Sequence, residues 1–357
     1  MGVLVGIVIA APTLARDIPP EVVRNAGAIQ GDQQTAIQAH VTQNVPDLRD
    51  PQTQKRKEAR QKLLEPLADA EVSVSFRQAY TNVLVPELAP LVKDPSDVVA
   101  ISGLIIAGKL ATERAAGLVV PELQAKAASV RYVAVSAIGD TLNATGNSAA
   151  AIRADTGVDL VRALEKQLVE ETDPFIVHRL VLSLREGMSG PKQLDQVRGE
   201  SLRALSAALD ARLKKLAAKK ADPDLFETYI LAGSVIRDGL VGGNPPPKDA
   251  VVAAGKAGGQ MIAYVGRLVS AGAYPGKAPR DLPVKLVAAG EAVVHFAQVA
   301  VQQQPVKLEL ATDTRGVSAA TNAGDAKFLS DAAGLIGPSG LLTKEPFNIP
   351  PAEFPTR

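Results

Sequence analysis

The seven residues VVAISGL, Val98 to Leu104, return 34 positions later as YVAVSAI, Tyr132 to Ile138. The similarity runs upstream as well: VLVPELAPLVKDP (Val83 to Pro95) precedes the first copy and GLVVPELQAKAAS (Gly117 to Ser129) the second. Self-similarity at a period of roughly 30–50 residues marks stacked repeats. One such unit cannot bury its own apolar face, so a neighbour must cover it.

The junction Asp-Pro recurs at Asp50-Pro51, Asp94-Pro95, Asp173-Pro174 and Asp222-Pro223, each before a helical apolar pattern. Asp at an N-cap accepts an orphan backbone N–H, and Pro at the first helical position loses no hydrogen bond. Each junction therefore predicts the start of a second helix after a tight turn, with Ser129 as cap where Asp-Pro is missing. Apolar residues recur at three- and four-residue spacing, as in Leu160, Val161, Leu164 and Leu168, which is the helical period. Six helix pairs follow: 33–43 with 52–68, 74–92 with 96–110, 112–126 with 130–142, 158–171 with 175–185, 194–220 with 224–240, and 249–270 with 283–303. Loops are expected at Asn143–Asn147, Gly187–Pro191, Gly242–Pro247 and Tyr274–Pro279. Only Lys307–Leu310 suggests a short alternation of period two.

Composition agrees. The 357 residues are 46% hydrophobic but only 3% aromatic, with no Trp. Ala, Val, Leu and Gly suit close helix-on-helix packing, whereas stacking platforms for bases or sugars need aromatic rings. A formal net charge of +1 gives no global electrostatic case for nucleic acid or an anionic membrane. With no cysteine, disulfides, thiolate metal sites and cysteine nucleophiles are excluded.

VPELAPLVKDPSDVVAISGL and TDPFIVHRLVLSL, with their Asp-Pro junction, proline in the preceding helix and Val-Ala spacing in the next, resemble HEAT repeats. The resemblance covers about residues 45–240. It implies an all-α HEAT/armadillo-like α-solenoid of five to six antiparallel helix pairs, and a scaffold that binds partners along a curved surface. The basic residue usual early in the second helix is absent at Val99 and Ala100 and present at Arg179, so a continuous Asp–Arg ladder is not expected.

The N-terminal run from Val3 to Ala11, followed by Thr13-Leu14-Ala15, resembles a secretory signal peptide over residues 1–15. It is too short to span a bilayer. Residues 16–304 form the predicted solenoid. Residues 305–357 read as an irregular Pro/Gly-rich tail with one short helix near Ala326–Ala333, anchored by Phe347 and Phe354.

Motifs of chemistry are weak. GLIIAGKL (Gly103 to Leu110) matches part of a phosphate-binding loop, but Leu110 replaces the Mg²⁺-holding hydroxyl and no strand precedes it. The histidines, His40, His178 and His295, are too far apart in sequence to converge on a metal. Glu170, Glu171 and Asp173 could form an acid pair or hold a cation, yet a solvated turn with Asp173 as cap explains them. No G-x-S-x-G elbow occurs. GKAGGQM (Gly255 to Met261) reads as tight packing in the last pair.

The expectation is therefore a non-catalytic, exported scaffold without cofactor or metal, binding a protein or peptide through its second helices. Ser102, Lys109, Arg131, Asp140, Arg179 and Arg185 are the candidate partner-facing residues. The alternative is an anionic polymer held by two basic stretches: KRKEARQK, with Lys55, Arg56 and Arg60, and RLKKLAAKK, with Lys214, Lys215 and Lys219. That alternative requires both stretches to face the same side.

Overall fold

The computed structural model describes residues 18–147, 150–191, 193–216, 223–242, 244–273, 281–302, 317 and 325–356. After a short first turn, α1 (Pro20–Val23), the chain forms six helix pairs: α2 (Asp32–Asn44) with α3 (Thr53–Leu64), α4 (Val74–Val92) with α5 (Asp97–Leu110), α6 (Glu113–Val119) with α7 (Ala128–Asn147), α8 (Ala154–Glu170) with α9 (Pro174–Glu186), α10 (Asp195–Lys215) with α11 (Pro223–Val241), and α12 (Lys248–Ser270) with α13 (Asp281–Gln302). A further helix, α14 (Asp325–Ile336), follows.

Two layers result. The first helices stack in the order α2, α4, α6, α8, α10, α12, with the 3₁₀ turn Val120–Gln124 bridging α6 to α8. The second helices stack as α3, α5, α7, α9, α11, α13. Each helix is thus buried by its partner and by the neighbours before and after it, and the apolar core runs unbroken through the stack. This is an all-α solenoid.

Small residues let the second helices close on one another. A Cβ on Gly108 of α5 would lie 2.6 Å from Cα of Ala137 on α7, so the two backbones nearly touch. Thr141 Oγ1 donates to the Gly108 carbonyl at 3.1 Å, and Ser183 Oγ on α9 to that of Val135 at 2.9 Å. The phosphate-loop match is therefore a stretch of helix in which Gly103 and Gly108 are buried.

The Asp-Pro junctions behave in two ways. Asp173 caps α9, its Oδ1 accepting the N–H groups of Phe175 and Ile176, with Pro174 as first residue. At Asp50 and Asp94 the carboxylate instead accepts the N–H two residues on, from Gln52 and Ser96, and the helix begins later. Asp222 lies outside the described residues. Ser129 is not a cap but sits inside α7 and donates to Asp97. Asn143–Asn147, expected as a loop, completes α7.

The helix expected near Ala326–Ala333 is α14, and the segment after it is packed rather than loose. Leu342, Phe347, Ile349 and Phe354 are buried. Leu342, Phe347 and Phe354 lie on α12, in the first-helix layer. α13 is long and apolar enough to cross a membrane by length and composition. Here it packs on α12 and α11, with Leu286, Val287, Val293, Val294 and Ala297 buried. The N-terminal run Val3–Ala11 and Lys307–Leu310 lie outside the described residues.

Candidate functional site

Large apolar side chains are exposed on the second-helix layer. On α5, Val98, Ile101, Ile105 and Lys109 form one stripe spaced by three or four residues, exposed at Val98 and Lys109 and half-buried between them, where Ile101 packs at the edge of the core. On α7 the stripe is Tyr132, Ser136 and Asp140. On α9 it is Phe175, Arg179 and Leu182. Four of the six large apolar side chains most exposed among the described residues belong to this layer: Phe175 at 77%, Val241 at 61%, Val98 at 49% and Tyr132 at 42%. Val98 and Tyr132 are the same position in the two repeat copies, and Phe175 stands in the first turn of the next second helix.

Polar links join the far ends of these helices. Lys109 Nζ lies 2.8 Å from Asp140 Oδ1, tying α5 to α7. Asn143 Nδ2 donates to Glu186 Oε2 at 2.6 Å, tying α7 to α9. On α5, α7 and α9 the open face is therefore apolar toward the N-terminal ends of the helices and polar toward the C-terminal ends.

The six candidate residues divide. Ser102 is buried, donating to Val98 O and touching Arg60 at 3.4 Å; it is a stacking contact and cannot face a partner. Arg131 is also spent inside the molecule. Its Nε and Nη2 hold both oxygens of Glu171 at 3.0 and 3.2 Å, and its Nη1 caps the Ala125 and Lys126 carbonyls. It is the basic residue early in a second helix that the repeat pattern requires, at α7 rather than only at Arg179. Lys109, Asp140, Arg179 and Arg185 remain on or beside the open face, Arg185 reaching Glu186 at 3.1 Å.

Glu171 shows why the acidic cluster is structural. Burial would push its carboxyl up; Arg131, the Asp173 and Thr172 amides and the Gln167 side chain override this and hold it at about 2. Arg212 of α10 adds donation from Nη1 to the Leu168 and Glu171 carbonyls at 2.7 and 2.6 Å. One turn thus joins α7, α8 and α10. A general acid needs a raised value, and each described carboxyl group that departs clearly from its ordinary range is lowered. Among the described residues, no group of three or more His, Asp or Glu side chains could hold a metal ion. His40 is buried against the Lys62 carbonyl, and His178 is exposed, 3.4 Å from Thr228 Oγ1.

The two basic stretches do not form one surface. Lys55, Arg56 and Arg60 lie on α3 in the second-helix layer; Lys214 and Lys215 lie on α10 in the first. Lys55 pairs with Asp50, and Arg56 caps the Asp50 and Pro51 carbonyls. Lys214 is held by Asp210 and Glu353. Lys219 lies outside the described residues. The groove that a polymer would need is not assembled from these residues.

Sequence reasoning missed Val98, Tyr132 and Phe175 because it sought polar groups. Their signal was available: each falls on the helix face opposite the core stripe, where an apolar residue gains nothing from folding.

No protein-family model and no curated protein matches the chain. Among solved structures it is similar to the crystal structure of an engineered protein, at 17% identity and a TM-score of 0.43, covering 73% of this chain and 97% of that one. It is also similar to a designed armadillo repeat protein in complex with a (KR)4 peptide, at 18% identity and a TM-score of 0.36, covering 71% of this chain and 99% of that one. By the stacking of its own six pairs, the chain has the architecture of a HEAT/armadillo-like α-solenoid.

Proposed function

We propose that the protein is a non-catalytic scaffold, acting outside the cytoplasm, that binds a protein or peptide on the open face of its second helices. The observation that carries this is the exposure of Phe175, Val98 and Tyr132 on consecutive second helices. Scattered single apolar residues are ordinary on a surface, whereas a contiguous set is the usual mark of a partner site. Aromatic side chains are also the residue type that most often anchors an interface. Lys109, Asp140, Arg179 and Arg185 supply the polar rim. Export rests on the run from Val3 to Ala11 and the small residues before Arg16.

A photo-reactive amino acid placed at 132, at 175, and at Lys166 on the exposed first-helix side tests the site in cells. The reading expects one discrete adduct shared by 132 and 175 and missing at 166, lost when Phe175→Asp is introduced at the 132 probe. An adduct confined to 166 refutes it. Mass spectrometry of the same sample should find a mature chain beginning at Arg16; an intact Met1 refutes export while leaving the binding face untouched.

A further inference from the structure

The segment that follows α14 is seated on the body in the manner of a bound peptide. On α12, Gly255 and Gly259 leave two adjoining hollows. A Cβ at Gly255 would sit 2.9 Å from the Phe347 ring, and one at Gly259 would sit 2.6 Å from Leu342 and 2.7 Å from the Phe354 ring. Further along the same helix three side chains address main-chain carbonyls: Gln260 Nε2 donates to Glu353 O at 2.9 Å, Arg267 Nη1 to Pro355 O at 3.1 Å, and Ser270 Oγ to Thr356 O at 2.8 Å. Beside them the Glu353 carboxylate lies between two ammonium groups, Lys214 of α10 and Lys256 of α12, the latter at 2.8 Å. Asp210 of α10 faces the same lysines, at 3.0 Å from Lys214 and 3.7 Å from Lys256.

These contacts separate into anchors, charge and backbone. Two aromatic rings seven positions apart fill the glycine hollows, one carboxylate meets two cations, and the carbonyls are read by side chains whatever residue bears them. Between Gly337 and Thr356 the segment forms only 3₁₀ turns of three residues, Leu341–Thr343 and Pro351–Glu353. α14, which precedes it, packs on α12 and against the Leu341–Thr343 turn, and beyond that turn the segment's place on the body is set by these side chains. Such a surface recognises a short linear sequence, and recognition of that kind does not depend on covalent connection to the site.

We propose that the groove between α10 and α12 is a second binding site, specific for a peptide of the form Phe-x6-Phe with Glu immediately before the second Phe. The chain's own residues 341–356 occupy it as an internal ligand, and a partner segment of the same chemistry replaces them. The site lies in the first-helix layer, so it is independent of the second-helix face.

A fluorescein-labelled peptide with the sequence of residues 341–357 is titrated, by anisotropy, into three full-length chains: wild type, Phe347→Ala with Phe354→Ala, and that pair combined with Lys214→Glu and Lys256→Glu. The vacated chain is expected to bind at least tenfold more tightly than wild type, where the internal segment competes. The lysine reversals should weaken binding tenfold or more, and a peptide with lysine in place of Glu353 should recover a large part of it. Should the double alanine chain lose its helical circular dichroism, full-length Glu353→Lys, which keeps both rings, serves for the same comparison. Equal affinity for wild-type and vacated chains, no binding to a folded vacated chain, or indifference to the reversed lysines would each overturn the proposal.

Discussion

Glu171 sits in a turn where α7, α8 and α10 meet. It is buried in a turn, ion-paired to Arg131 and hydrogen-bonded to two backbone amides. Glu171→Gln keeps the shape but removes the buried charge that the half-buried Arg131 is paired with, at a cost of about 2 kcal/mol. Urea denaturation followed by circular dichroism measures it. The pH dependence has a defined direction. Glu171 is held at about 2 against an ordinary 4.5, so its contribution is complete above 4.5 and is lost as pH falls toward 2. Glu353, held at about 2 by Lys214 and then Lys256, loses its contribution over the same range. The wild-type midpoint should therefore drop across that window, and in Glu171→Gln the drop should be shallower. At this scale the sequence was only partly legible. Asp173 as a cap could be seen from Asp-Pro alone, because its partners are two and three residues away. Arg131 could not, because its partner lies 40 residues on and only the stacking register brings the two together.

Among the elements, α12 shows how one helix serves three neighbours. Gly258 faces α13, where a Cβ would meet the Gly290 carbonyl oxygen at 2.7 Å; Gly259, the next residue, faces Leu342 and Phe354 of the C-terminal segment. Valine at either position overpacks a tight contact, but the consequences differ. Gly258→Val forces backbone against backbone and should cost about 3 kcal/mol or more, read as a lower thermal midpoint. Gly259→Val meets side-chain tips, so the stack should keep most of its stability while the segment after α14 becomes open to limited proteolysis. Cleavage in that segment for Gly258→Val but not for Gly259→Val would contradict the assignment. The glycine-rich motif GKAGGQM announced close packing, yet not against what. Helical period fixes which residues share a face, but the residues that meet the Gly259 face, Leu342 and Phe354, are 83 and 95 positions later in the chain. The helix pairs themselves were well marked, since Leu, Val and Ala at three- and four-residue spacing record burial directly. Boundaries were less so: Asp50 and Asp94 make turns of their own before the helix starts, and a sequence does not distinguish that from a cap.

For the whole molecule, each helix is covered by its neighbours in the stack, so stability should fall off from any newly made end. Removal of residues 325–357 uncovers α12 and the end of α10. Hydrogen exchange should then rise sharply in those helices and stay at wild-type level in α4 through α7. Uniformly raised exchange through every helix would mean that the stack melts as one unit. The two-layer order was legible because the repeat copies state it twice. The position of the C-terminal segment was not, because nothing in a sequence without period says which layer it will meet.

The turn at Glu171 has a mechanical consequence. Two links from opposite sides meet here: Arg131 reaches this turn from the third pair and Arg212 from the fifth. A solenoid drawn from both ends in an optical trap behaves as coils in series, and the weakest joint yields first. Pairs three to five should therefore extend together, as a single late step about three repeats long, after the coils on either side have already paid out.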